Sequence, residues 1–312
     1  MRIVLPGALP DPREARELAA YLQKTAPTLH GWLSRSHARI LAADPAESGC
    51  TAYEQWQLVD RGFRPAKDQN LAAGLGPLQV RGAVQADRPA WLVELVHVAP
   101  SRDGAALLPA RELGITAEQS VALFDSVLGL FAESGFILHP CDTHRWRIEL
   151  PPGFSPPCAS PEVVSTSSVN DWWPQDMAAR PWRRLVNEVQ MLWFEHPINA
   201  SRGQRGLPPV NSLWLYGGAR ADQFSDLSAR PDDVLEEALS APALRQDWSA
   251  WLAALGELEE RVFKPQALGR PPALVLTGRS RIVQLQSSAL KRCTQWLPAS
   301  RLSWRRWWSP QS

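Results

Sequence analysis

Side chains able to hold a metal or attack a phosphoryl group are thinly spread along this chain. Six histidines stand at positions 30, 37, 97, 139, 144 and 196. None forms an H-x-H or H-x-x-x-H pair, the spacings that put two imidazoles on one strand or helix face. His139 and His144 come nearest, and they bracket a polar turn. Four cysteines, at 50, 141, 158 and 293, include no C-x-x-C. That argues against a zinc knuckle, and gaps so wide do not read as a disulfide framework. They are expected as reduced thiols of a cytoplasmic protein. There is no Walker loop, no G-x-G-x-x-G after a strand and no G-x-S-x-G. The C-terminus is different: Lys291, Arg292, Arg301, Arg305 and Arg306 interleave with Trp304, Trp307 and Trp308, with no acid from 291 onward. A basic, Trp-rich tail over 298–312 could stack on single-stranded nucleic acid, sit at a membrane surface or meet a protein partner. Its tryptophans could equally fold back on the body.

The scaffold for these groups is an ordinary globular chain. It has 312 residues, 45% hydrophobic and 21% charged, enough for one large domain or two modest ones with a real core. A net charge of +1 gives no bulk electrostatic argument for nucleic acid or membrane. The apolar run Ile3–Leu5 is too short for a signal-peptide core, and nothing approaches the roughly 18 apolar residues of a spanning helix. Fifteen tryptophans are scattered over the whole chain and are expected in the core or on its rim.

Periodicity then divides the chain. Residues Ile3–Leu5 predict a short buried strand ending at Pro6-Gly7, followed by a helix with Ala15, Leu18, Ala19 and Leu22 inward. Residues 28–42 suggest a second helix, and 49–62 a third, with Ser48 or Thr51 as cap and Gly62 as stop. Residues 70–88 carry no period and read as a connection. Trp91–Val98 predicts a strand. Thr116 with Gln119 opens a helix expected to turn Phe124, Leu128 and Phe131 inward. Two strands, Phe136–Leu138 and Trp146–Leu150, follow it. A helix over 182–195 is expected to bury Leu185, Val189 and Leu192, and Leu213–Tyr216 is a strand closed by Gly217-Gly218. Leu252, Leu255 and Val262 give a last helix period, before strands at Ala273–Thr277 and Ile282–Leu285. Strand and helix alternate at both ends and mix in the middle. The expectation is an α/β fold: a parallel sheet flanked by helices, built from 1–88 and 208–312, with an inserted α+β domain over 89–207.

The string His196–Gly218, H-P-I-N-A-S-R-G-Q-R-G-L-P-P-V-N-S-L-W-L-Y-G-G, resembles a segment of archaeal-type cofactor-independent phosphoglycerate mutases, which reads H-P-x-N-x-x-R, then G-x-x-P-A-N, then a W-L-W-G strand end. Other pieces fall in the same order. Ala26–Leu29 resembles an A-x-P-N-L-D region, Ser48–Pro65 the nucleophile segment, Gly74–Leu78 a G-R-G-P-L-E and Ile115–Leu150 the inserted domain. Trp251–Gly278 resembles the last helix and strand. The resemblance implies an alkaline-phosphatase-like sheet. As a whole the chain is also similar to RpfE-type regulatory proteins of proteobacteria, a family that brings no established activity with it.

That mutase chemistry needs two divalent metals held by Asp and His clusters, and a serine that takes the phosphoryl group. Where the resemblance places Asp-Gly after the first strand, this chain has Pro6-Gly7. Its T-G-D-H becomes Thr277-Gly278-Arg279-Ser280, and its D-x-x-G-H is absent, with Asp247 followed by Trp-Ser-Ala-Trp. The serine position falls on Gly49–Thr51, so Cys50 or Thr51 is the candidate nucleophile, although no Asp stands beside either. Arg147, Asn199, Arg202, Asn211 and Arg279 are the candidate contacts to a small anionic ligand, since arginine forks pair with phosphate or carboxylate. Alternatively Asn199 and Arg202 simply tie a loop to its neighbours. No metal and no cofactor is expected. The first expectation is a non-catalytic, mutase-like protein with a binding or regulatory role. The alternatives are a divergent mutase or other phosphoryl-transfer enzyme, and a nucleic-acid or membrane-surface binder acting through the tail.

Overall fold

The computed structural model describes residues 1–80, 86–102, 104–228, 230–287 and 304–309. In chain order the strands are β1 (Arg2–Leu9), β2 (Ser36–Ala42), β3 (Trp91–Ser101), β4 (Gly104–Leu108), β5 (Ile137–Pro140), β6 (Arg145–Glu149), β7 (Ser212–Gly217), β8 (Asp233–Leu235), β9 (Ala273–Gly278) and β10 (Arg281–Ser287). The helices are α1 (Pro12–Thr25), α2 (Pro27–Arg35), α3 (Pro45–Ser48), α4 (Ala52–Asp60), α5 (Leu75–Gln79), α6 (Ala110–Leu113), α7 (Ala117–Ala132), α8 (Pro161–Val164) and α9 (Val169–Trp172). After these come α10 (Arg180–Phe194), α11 (Pro197–Gln204), α12 (Ser240–Leu244), α13 (Trp248–Leu258) and α14 (Arg305–Trp308). The chain is a mixed α/β protein of two units, Met1–Pro45 with Ser228–Ser312, and Ala46–Leu227. Among the described residues no helix is long and apolar enough to cross a membrane.

The first unit is built on a five-stranded sheet, in the order β2-β10-β9-β1-β8. β1 runs parallel to both β8 and β9, as strand–helix alternation predicts. The other two strands depart from the expected all-parallel sheet. Only Arg279 and Ser280 join β9 to β10, and so short a link can only close an antiparallel pair. β10 then pairs antiparallel with β2 over seven register positions. That pairing is why 28–42 is not one helix: α2 stops at Arg35 and the rest extends as a strand. β1 also runs past Pro6-Gly7, with a register irregularity between Leu5 and Leu9. Gly7 sits at φ 75°, and a Cβ there would lie 2.7 Å from the Leu239 carbonyl oxygen. Ala15, Leu18, Ala19 and Leu22 of α1 are buried as their spacing requires. They share a core with Trp251 and Leu255 of α13 and Leu274 and Leu276 of β9.

The second unit has an antiparallel sheet in the order β4-β3-β6-β5, with β7 on the other edge of β3. β7 thus belongs here and not to the parallel sheet. The boundaries expected at 88/89 and 207/208 stand at 45/46 and 227/228 instead. The reason is close packing of residues 71–79 on β7. A Cβ on Gly76 would come within 1.8 Å of the Ala90 carbonyl oxygen and 3.2 Å of the Gly217 Cα, and Ala219 N–H donates to the Ala73 carbonyl at 3.0 Å. α7 opens on the predicted Thr116–Gln119 capping box, but its buried stripe is Leu123, Val127 and Phe131, leaving Leu128 exposed. In α10, Leu185 and Val189 are buried as expected. Leu192 faces out, and Trp182 and Trp193 take the inward places. Indoles fill the space against the sheet that a leucine would leave open.

Candidate functional site

In an α/β sheet, ligands gather beyond the carboxyl ends of the parallel strands. In the first unit those ends are the residues after β1 and β9. They are lined by main-chain carbonyls that are already occupied. Ser240 Oγ donates to the Pro6 carbonyl at 3.2 Å, and Trp251 Nε1 to that of Gly7 at 2.9 Å. The Arg281 guanidinium donates to the carbonyls of Pro10 (2.8 Å), Trp307 (3.1 Å) and Trp308 (2.8 Å). It thereby ties the short helix α14 to the end of β1. Burial lowers the Arg281 pKa, with Asp11 opposing. Trp308 Nε1 donates to the Ala15 carbonyl at 3.0 Å. Trp304, Trp307 and Trp308 are all buried, the first and last at 1% exposure.

The tail's indoles are therefore core side chains and offer no open face on which a base could stack. Arg305 and Arg306 stay exposed. Lys291, Arg292, Cys293 and Arg301 lie outside the described residues, as do 298–303 and 310–312. Arg279, one of the expected anion contacts, is exposed on the β9–β10 turn.

Two divalent cations would require converging carboxylates and imidazoles. Among the described residues no three His, Cys, Asp or Glu side chains converge in that way. Asp247 accepts from Ala250 N–H as the N-cap of α13, and His30 packs edge-on to Trp304 at 5.5 Å. A guanidinium beside the strand ends opposes a cation. Among the described residues, those at these strand ends do not fit a two-metal centre.

In the second unit, three expected ligand contacts hold backbone together. Asn199 donates to the carbonyls of Trp193 and Val210 and accepts from Val210 N–H. Asn211 exchanges two hydrogen bonds with the backbone of Val98, extending the β3–β7 ladder by one side chain. Arg202 is 0% exposed. Its guanidinium donates to the carbonyls of Pro208 (2.9 Å) and Leu113 (2.5 Å) and to Gln119 Oε1 (2.9 Å). It thus joins α11 to the end of α6 and the start of α7. Arg147 is the exception, a third exposed on β6 and 3.9 Å from Glu149.

The two candidate nucleophiles are structurally engaged. Cys50 is fully buried, and burial pushes its thiol well up, with the Glu54 carboxylate adding to the effect. Such a thiol stays protonated and is a poor nucleophile. Thr51 is the N-cap of α4: its Oγ1 accepts from Glu54 N–H and donates to Glu54 Oε2 at 2.9 Å. The same carboxylate oxygen accepts from Thr51 N–H at 2.8 Å and from Ser160 Oγ at 2.7 Å. Ser160 is in turn the N-cap of α8.

Glu54 opens a buried polar cluster that the sequence reading did not single out. Glu94 of β3 accepts from Ala110 N–H at the start of α6 and faces Arg145 across the β3–β6 pair. Glu162, in the first turn of α8, pairs with Arg111 at 2.5 Å. Burial raises all three carboxyls, Glu94 to about 7 and Glu162 to about 8, and it raises Glu54 against the opposing hydrogen bonds from Thr51 and Ser160. Two signals for the cluster were legible. Thr51-x-x-Glu54 is a capping-box spacing, and Glu94 is a lone charge inside the apolar run Trp91–Val96. Pro156, Pro157, Cys158, Trp172, Trp173 and Trp214 line a shallow indentation too small for a ligand.

No protein-family profile matches the chain. A stretch of 144 residues is 24% identical to a protein of Geobacter sulfurreducens described as a probable 2,3-bisphosphoglycerate-independent phosphoglycerate mutase. The match spans 44% of this chain and 34% of that relative, so the chain covers about a third of it. This supports a distant resemblance to the cofactor-independent mutases. Among solved structures, the PH0037 protein of Pyrococcus horikoshii aligns over 92% of this chain and 87% of its own, with 14% identity and a TM-score of 0.49. A cofactor-independent phosphoglycerate mutase of Thermoplasma acidophilum aligns over 92% and 90%, with 13% identity and a TM-score of 0.36.

Proposed function

We propose that this chain is a mutase-like protein of the cytoplasm that has lost the two-metal site and acts by binding, in a regulatory role of the RpfE type. The observation that carries this reading is the chemistry at the ends of β1 and β9. Pro6 supplies no ligand atom, Arg279 and Ser280 follow Gly278, and the Arg281 guanidinium holds the carbonyls of Pro10, Trp307 and Trp308. Phosphoryl transfer of the mutase kind depends on cations that neutralise charge on the transferring oxygens. A fixed guanidinium and buried indoles do not hold cations. The burial of Cys50 and the capping role of Thr51 also count against a metal-independent nucleophile at those positions. A small anion remains the proposed ligand class. Arg147 and Arg279 are the expected contacts whose side chains stay accessible.

The test is a coupled assay for interconversion of 3- and 2-phosphoglycerate, using contaminant-free protein with manganese and zinc titrated separately. No turnover above the protein-free blank is expected with either metal. Metal-dependent conversion that scales with protein concentration overturns the proposal.

A further inference from the structure

The buried carboxylates of the second unit are placed where three helices begin. Glu54 lies in the first turn of α4 and binds both that helix's cap, Thr51, and the cap of α8, Ser160. Glu94 holds the first N–H of α6 through Ala110, and Glu162 stands in the first turn of α8. Helix N-termini leave N–H groups unpaired and favour negative charge, which explains why carboxylates collect here. Collecting three of them in a buried region also sets them against one another, because each charge raises the cost of the next.

The surroundings of Glu94 only partly offset that cost. From β6 it faces Arg145, but Arg145 is already bound to Asp142 at 2.8 Å and to Gln79 of α5 at 2.9 Å. On β7 its register partner is Trp214, and Tyr216, which interacts with it electrostatically, donates its hydroxyl to the same Gln79 oxygen at 2.8 Å. From α4 comes the Glu54 carboxylate and from α6 the Arg111 guanidinium, and Arg111 is engaged by Glu162 at 2.5 Å. Glu112 adds a further negative charge near Glu162. The Cys50 thiol borders both Glu54 and Cys158, and both thiols stay neutral, Cys158 pushed up to about 12 by burial. The two arginines facing Glu94 thus each have another carboxylate partner.

We infer that this cluster is a proton-responsive latch: the second unit is held together most firmly while the carboxylates at its helix starts retain a proton, and loosens there as they ionise. Glu94 is the principal group, because Glu162 keeps 24% of its side chain exposed and has Arg111 alongside.

The direction follows from linkage. In the unfolded chain a glutamate titrates near the ordinary 4.5, whereas in the fold burial raises Glu94 to about 7 and Glu162 to about 8. Between those values the folded state binds more protons. The stabilisation is fully present below about 4.5 and is lost as pH rises through about 7 and then about 8, by up to tenfold in the folding constant per pH unit for each proton held.

The experiment is thermal and urea unfolding of the full chain at half-unit steps from pH 5.5 to 9, followed by tryptophan fluorescence. Wild-type stability is expected to fall across pH 6–8.5. Glu94→Gln keeps an oxygen for Ala110 N–H but cannot ionise, so its profile is expected to be flatter by about one proton below about pH 7 and parallel to wild type only above it. Glu162→Gln, a second variant at a more exposed place, is expected to flatten the profile from the acid end of the range up to about pH 8. A wild-type profile that is level or rises over pH 6–8.5 overturns the inference. So does a Glu94→Gln profile parallel to wild type. If Glu94→Gln does not fold, a direct titration of the wild-type glutamate carboxyls by carbon-13 NMR decides the matter. A buried glutamate titrating near 7 sustains the latch, and titration of every glutamate below 5.5 refutes it.

Discussion

Replacing Arg202 with methionine separates tethering from ligand binding at the most deeply placed arginine among the described residues. The guanidinium is 0% exposed and makes three hydrogen bonds, to the carbonyls of Pro208 and Leu113 and to Gln119 Oε1. Methionine keeps most of the apolar stem but removes the donor to all three acceptors, of which Gln119 Oε1 retains the capping-box bond from Thr116 N–H. A buried acceptor left unsatisfied costs about 1–3 kcal/mol. Against this, the substitution removes a buried charge whose own desolvation is expensive and which has a second cation, Arg205, for a neighbour. The net expectation is a loss of about 2–4 kcal/mol. For a unit of this size that is a fall in Tm of roughly 5–15 °C. Urea and thermal unfolding measure it, and hydrogen exchange is expected to show lost protection at the start of α7 and in α11. Inorganic phosphate at millimolar concentration is expected to shift Tm equally, or not at all, in wild type and Arg202→Met. The reasoning is refuted if Arg202→Met unfolds like wild type without phosphate and only wild type is stabilised by it.

Other substitutions probe the same logic. Thr51→Ala removes the N-cap of α4 and one donor to Glu54, and is expected to cost about 1–2 kcal/mol in urea unfolding, as other caps do. Gly76→Ala puts a Cβ 1.8 Å from the Ala90 carbonyl oxygen, so little folded protein is expected on expression and size-exclusion chromatography. Trp308→Ala empties a fully buried indole site and removes its hydrogen bond to Ala15, with an expected loss of about 3–5 kcal/mol. Cys50→Ala is expected to leave the rate and extent of native-state alkylation at pH 8 unchanged, because the thiol is buried and protonated. A slower or smaller reaction in that variant would mean that Cys50 is accessible.

How much of this was legible depended on whether the signal was local. The α1 face, the Thr116–Gln119 box, the Gly62 stop and the strands around Trp91 and Leu213 follow from residues a few positions apart. Helix periods and caps are set by neighbours along the chain, so one sequence suffices to find them. That Pro6 and Arg279 carry no metal-ligating atom is likewise read from the sequence alone, because side-chain chemistry does not depend on the fold. What it left open were questions of pairing. Residues 36–42 became a strand only because β10 lies alongside, and Leu213–Tyr216 joined an antiparallel sheet because β3 was its partner. Asn199 and Arg202 could be read as ligand contacts or as ties, and only their partners, some 80 residues away in the case of Gln119, decided for ties. The tail's tryptophans lost their role as a free stacking surface when they met α1 and α13. The carboxylate cluster at Glu54, Glu94 and Glu162 required the start of three helices to meet beside one sheet. Burial and electrostatic coupling are properties of that meeting: no residue carries them alone, and no local pattern encodes which distant charges will share a low-dielectric space.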